Sequence, residues 1–113
     1  MGAKITTGVA LFLCMAFVLF MAGSARADAA TGKQVFSTYC VACHGPSGAG
    51  DGPAAAALDP KPRDLTTGEF KYGSTDEDLF KFISTGKGPM PPWDSLPEAD
   101  RRAVIKYIRS LKK

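Results

Sequence analysis

The sequence predicts an all-α domain, and three observations predict it. Apolar residues recur at helical spacing in three segments, no segment alternates apolar and polar residues as a half-buried strand does, and the connections are crowded with glycine and proline. At 113 residues the chain is long enough for one domain with a core and too short for two.

The N-terminus is not part of that domain. Lys4 is followed by an apolar run from Val9 to Met21 and then by the small-x-small triplet Ala25-Arg26-Ala27. This is the pattern of a secretory signal peptide, residues 1–27, cut after Ala27 to leave 28–113 as the working domain. A retained membrane anchor is the alternative, because no charge falls between Lys4 and Arg26 and the stretch just reaches across a hydrocarbon core of about 30 Å. Cys14 lies in mid-run behind Leu13, where a lipoprotein leader wants a small residue.

Within 28–113, residues Ala29 to Cys43 form the first expected helix, with Val35, Phe36 and Tyr39 leading into a cysteine pair. Glycines end it. From Gly45 to Gly73 the density of Gly and Pro forbids long regular structure, leaving one short helix from Pro53 to Leu58 with proline at its first turn. Ser74 as N-cap with Glu77 three residues on reads as a capping box for a helix carrying Leu79, Phe80, Phe82 and Ile83 and closed by Gly86. After a loop from Lys87 to Asp94, the last helix starts near Leu96 or Pro97 and aligns Val104, Tyr107, Ile108 and Leu111 on one face. Three modest helices with long connections give a marginal interior, and small scaffolds of this kind need a staple.

Charge limits the partners. Loss of Lys4 and Arg26 with the leader leaves twelve basic against eleven acidic side chains, a net +1, which argues against nucleic acid. Arg101, Arg102, Lys106, Arg109, Lys112 and Lys113 crowd the C-terminal segment. They complement a helix dipole and solvate a surface, and docking to an acidic partner is the weaker reading of them.

The chemistry sits in Cys40-Val41-Ala42-Cys43-His44. Thiols three residues apart on a helix point to one side, so each can form a thioether with a different vinyl group along one edge of a haem, and the adjacent histidine is carried beneath the iron. This spacing is the signature of c-type haem attachment. Two other chemistries use C-x-x-C: disulfide exchange, which wants a βαβ setting absent here, and zinc binding, for which 28–113 has no cysteine or histidine beyond these three. The second axial ligand falls to Met90, the one methionine outside the leader, in Gly88-Pro89-Met90-Pro91-Pro92-Trp93. Prolines on both sides shrink the unfolded ensemble of the loop that must hold a weak thioether ligand. Lys87, three residues earlier, is the replacement ligand if that bond breaks at high pH.

These residues resemble the class I cytochromes c, which include soluble single-haem carriers and the cytochrome domains of bacterial oxidases and dehydrogenases. The resemblance covers all of 28–113 and implies a cytochrome c-like fold of three main helices plus a short one wrapped around one haem c. It further implies that the first and last helices cross at right angles through Gly32, Phe36 and Tyr107. Pro53 resembles the family proline whose carbonyl accepts the imidazole N–H of His44 and fixes its tautomer. Arg63 and Trp93 are candidates to hydrogen-bond the haem propionates. The implied function is a periplasmic carrier of single electrons, a monomer docking transiently between donor and acceptor redox complexes. A membrane-anchored or complex-bound electron-entry subunit is the alternative, and a haem peroxidase or small-ligand enzyme a more distant one.

Overall fold

A computed structural model describes residues 28–113; the signal peptide expected at 1–27 lies outside the described residues. Among these, the regular structure is entirely helical apart from one isolated bridge pair, Lys87 with Met90. Helix α1 covers 28–44, passing through a π-helical turn at Phe36–Cys40 before a last α-helical turn at Val41–His44. Helix α2 is Asp76–Thr85 and helix α3 is Glu98–Ser110. Between α1 and α2 the chain makes only two short 3₁₀ turns, Ala55–Ala57 and Leu65–Thr67. The first of these stands where the sequence predicts a short helix. No helix among the described residues is long and apolar enough to cross a membrane.

The start of α2 differs from expectation by one residue. Thr75, not Ser74, is the N-cap: its hydroxyl accepts from the N–H of Asp78, and Asp78 accepts in return from the N–H of Thr75, both at 3.1 Å. The sequence contains both registers, S-x-x-E and T-x-x-D. Tertiary contacts choose between them, because the Ser74 carbonyl accepts from Arg109 and Glu77 pairs with Arg102.

Eight side chains form the interior: Val35 and Phe36 from α1, Leu65 from the second 3₁₀ turn, Leu79 and Ile83 from α2, and Val104, Ile105 and Ile108 from α3. Ile105, only 2 % exposed, lies off the expected stripe. It is buried because α3 is covered on two sides. At Gly32 a Cβ would collide with the backbone carbonyl of Ala103 and touch Tyr107, so glycine here is what lets α1 approach α3 so closely. One turn on, the rings of Phe36 and Tyr107 pack at 5.2 Å. On the outer surface Arg101 and Arg102 lie over the ring of Phe80, tying α3 to α2.

Removing the Thr75 cap is expected to destabilise the haem-loaded domain by about 1 kcal/mol at pH 7, a fall of several degrees in Tm. Hydrogen bonds from Thr75 hold the Asp78 carboxyl below the usual aspartate range. Its contribution is therefore complete above the unfolded pKa of about 3.9 and is lost as pH falls through the lower folded value. Thermal unfolding of Thr75→Ala and the parent should accordingly show a smaller difference at pH 3 than at pH 7; a difference independent of pH contradicts the capping box.

Candidate functional site

The last turn of a helix leaves four carbonyls without intrahelical partners. At the end of α1 the glycine-rich loop supplies all four. Gly45 N–H donates to Val41 O at 2.9 Å, Ala54 to Ala42 O at 2.9 Å, Gly52 to Cys43 O at 3.1 Å and Gly50 to His44 O at 2.8 Å. Gly52 must be glycine for this, since a Cβ there would run into the Ala42 carbonyl. Pro53, which has no N–H to give, occupies the one position between Gly52 and Ala54 where none is used. The turn bearing Cys40, Cys43 and His44 is thus held by backbone bonds on its outer end.

These three residues line a cavity of about 620 Å³, within the 300–1,000 Å³ usual for cofactor pockets. Its walls are mostly apolar side chains from all three helices, including Phe36, Leu79, Ile83 and Val104. Met90 lines the same cavity, delivered by the loop after α2. That loop closes on itself: Lys87 N–H donates to Met90 O at 3.0 Å and Met90 N–H to Lys87 O at 3.1 Å. Trp93, which packs against Tyr39 at 5.3 Å, donates its backbone N–H to Ile83 and anchors the loop to α2.

The imidazole of His44 is oriented by a bond that the sequence reading assigns elsewhere. Nδ1 lies 3.0 Å from the carbonyl oxygen of Arg63, not of Pro53. Pro53 is exposed and is not among the residues lining the cavity. A carbonyl only accepts, so Nδ1 carries the proton and Nε2 keeps a free lone pair for a metal. Burial holds His44 below its ordinary pKa and so favours the neutral imidazole, an effect that the bond to the Arg63 carbonyl opposes. Arg63 itself lines the cavity, its Nε donating to Glu69 O at 2.9 Å, and Trp93 lines it as well.

The alternative chemistries of the motif fit less well. Burial, reinforced by the neighbouring Cys43, pushes the Cys40 thiol up to about 11, whereas disulfide-exchange motifs depress it. Cys40, Cys43 and His44 do not converge on one point, nor do any other three His, Cys, Asp or Glu side chains among the described residues, as a metal chelate would require. Two thiols, an oriented imidazole and a thioether on the walls of one large apolar cavity do suit a haem.

Fold and cavity together define a class I c-type cytochrome domain, built for one covalently bound haem c. The chain belongs to the family described as Cytochrome C oxidase, cbb3-type, subunit III, whose model matches residues 27–108. It is 37% identical over 86 residues to the cbb3-type cytochrome c oxidase subunit FixP of Bradyrhizobium diazoefficiens, covering 74% of this chain and 28% of that protein. To the subunit CcoP of Rhodobacter capsulatus it is 34% identical, covering 76% of this chain and 30% of that one. The chain therefore spans under a third of the length of these oxidase subunits. Against the chloroplastic cytochrome c6 of Chlamydomonas reinhardtii it is 30% identical over 94% of its own length and 70% of the other's. Among solved structures, a chain of the reducing HAO-like protein complex of Kuenenia stuttgartiensis superposes with a TM-score of 0.69 at 38% identity, covering 73% of this chain and 41% of that one. The family's shared property is electron transfer through a c-type haem.

Gly52→Ala forces the loop away from the Ala42 carbonyl and is expected to cost the holoprotein about 1–3 kcal/mol. Thermal unfolding followed at the haem absorption band measures it. An unchanged Tm would mean that the loop does not hold the motif.

Proposed function

We propose that Cys40 and Cys43 would hold the haem through two thioether bonds and that His44, through Nε2, and Met90 would be the residues that ligate its iron. The observation that carries this reading is the single cavity that brings the end of α1 and the closed Met90 turn together. When bound, haem c supplies a one-electron ferric/ferrous couple. The protein's part is to keep both coordination positions filled, to exclude water with the side chains of Phe36, Leu79 and Val104, and to hold the imidazole proton on Nδ1. A methionine and a histidine as its two protein ligands would raise the potential. Arg63 and Trp93 are the proposed partners of the propionates, and Pro53 remains a proposed member of the supporting loop through its position rather than its carbonyl.

With the iron fully ligated the domain relays electrons and is not itself an enzyme. Cleavage after Ala27 would release it to the periplasm as a monomeric carrier between donor and acceptor redox complexes, a reading supported by its likeness to cytochrome c6 along most of both chains. Its likeness to oxidase subunits FixP and CcoP supports the second reading, an electron-entry domain held in a complex. Cell fractionation with mass measurement separates them. A soluble chain beginning near Asp28 with the added mass of one haem supports the carrier, and a membrane-bound species retaining residues 1–27 supports the complex.

Met90→Ala is expected to convert the ferric spectrum from low-spin towards an open or water-ligated form that binds cyanide rapidly. The potential should fall by on the order of a tenth of a volt or more, part of the roughly 0.8 V that axial ligands span. Unchanged spectra and potential overturn the assignment of Met90.

A further inference from the structure

Most of the basic side chains along α3 are matched by carboxylates. Arg102 pairs with Glu77 and with Glu98 at 2.8 Å, Lys106 with Asp28 at 2.7 Å and Arg109 with Asp76 at 2.6 Å. Arg101 is different: it belongs to no ion pair among the described residues, and it is half-buried. A cation drawn partly out of water is costly unless its donors are used. They are used here on neutral groups from two other parts of the fold. Nε donates to the carbonyl of Leu96 at 3.1 Å, Nη1 donates to the hydroxyl of Ser84, and Cζ lies over the ring of Phe80, 4.6 Å from its centroid. The Ser84 hydroxyl gives its own hydrogen to the Phe80 carbonyl at 2.6 Å, which leaves its lone pairs to the guanidinium.

Leu96 stands at the exit of the segment that carries Met90. Along that segment Met90, Trp93 and Leu96 all line the cavity. Main-chain bonds tie its first part to α2: Gly86 N–H donates to Phe82 O at 2.8 Å and Trp93 N–H to Ile83 O at 3.0 Å. At its last part the Leu96 N–H turns inward, to Trp93 O at 3.1 Å. The Leu96 carbonyl is therefore fastened through Arg101 to Ser84, in the last turn of α2. One side chain of α3 joins both neighbours of the cavity wall.

We propose that Arg101 is a positioning residue for Met90: it latches the exit of this segment to α2 and so limits how often Met90 swings away from the cavity. The proposal rests on Met90 being an iron ligand, as argued above. A thioether is a weak ligand, so its hold depends on how seldom the segment that carries it opens. The planar fork of arginine can serve the Leu96 and Ser84 oxygens at once while lying on a ring, and the single ammonium of lysine on its flexible stem cannot. Arg102 supplies the contrast, because it lies over the same Phe80 ring at 4.2 Å yet bonds only to the exposed carboxylates of Glu77 and Glu98.

The test compares the holoprotein with Arg101→Lys and Arg102→Lys, both of which keep the charge. Two rates are read: amide hydrogen exchange at Met90, Trp93 and Leu96, and cyanide binding to the ferric state. Arg101→Lys is expected to accelerate both about tenfold or more, the effect of losing a hydrogen bond from a charged donor. Arg102→Lys, which alters only exposed pairs, should change either rate less than about threefold. Equal effects of the two variants, or none from Arg101→Lys, overturn the latch. So does faster exchange spread evenly over the amides of α1, which reports a general loss of stability. If Arg101→Lys does not accumulate as folded holoprotein, Ser84→Ala removes one arm of the latch and should speed exchange at Trp93 and Leu96 about threefold or more; unchanged exchange there overturns the proposal. Cyanide keeps the two readings apart. If it binds the parent as fast as it binds Met90→Ala, the ligand reading fails; if it binds the parent more slowly and Arg101→Lys leaves both rates unchanged, only the latch fails.

Discussion

The structure depends on how one helix ends. The four carbonyls that α1 leaves at its C-terminus are met by N–H groups of the next ten residues, so the turn that carries both thiols and the imidazole is fixed by main chain before any cofactor contact is counted. From this follow the direction of the chain after His44, the return of Leu65 to Gly48 by a 2.7 Å hydrogen bond, and the arrival of the Arg63 carbonyl at Nδ1. Local hydrogen bonding, tertiary path and imidazole orientation are one event. The modest interior of eight buried side chains can be small because the centre of the domain is shaped as a container.

Electrostatics divides the surface in a way that net charge hides. A formal +1 over 28–113 suggests an almost neutral particle. Yet the carboxylates gather where α2 and α3 begin and are answered there by arginines, while the cavity mouth holds only cations. Exposed pairs such as Arg102 with Glu77 add little to stability. Their larger effect is to cancel charge on one face and so leave the other as the dominant field.

Much of this was legible in the sequence, and the reasons differ by residue. Cys40, Cys43 and His44 stand out because covalent attachment demands fixed side chains at fixed spacing, and Met90 because the domain has no second methionine and brackets this one with prolines. The three helices follow from apolar periodicity. The partner of His44 was not legible, since every residue carries a carbonyl and nothing in the text marks Arg63 as the one that arrives. Ser74 and Thr75 offered overlapping caps, and only contacts from α3 select between them. The π-helical turn at Phe36–Cys40 and the burial of Ile105 depend in the same way on neighbours distant in sequence. Which basic side chains of α3 are engaged by carboxylates was likewise not legible, because charge pairing is a property of the folded shape.

The capping of α1 also constrains how relatives of this domain can vary in length. Each donor between Gly45 and Ala54 is matched to one acceptor, so adding or deleting a single residue there strands a peptide oxygen and shifts every later match. Natural variation should therefore change the identity of Pro46, Ser47 or Ala49 more readily than their number. The segment acts as a ruler, and growth of the chain in evolution is pushed towards other connections.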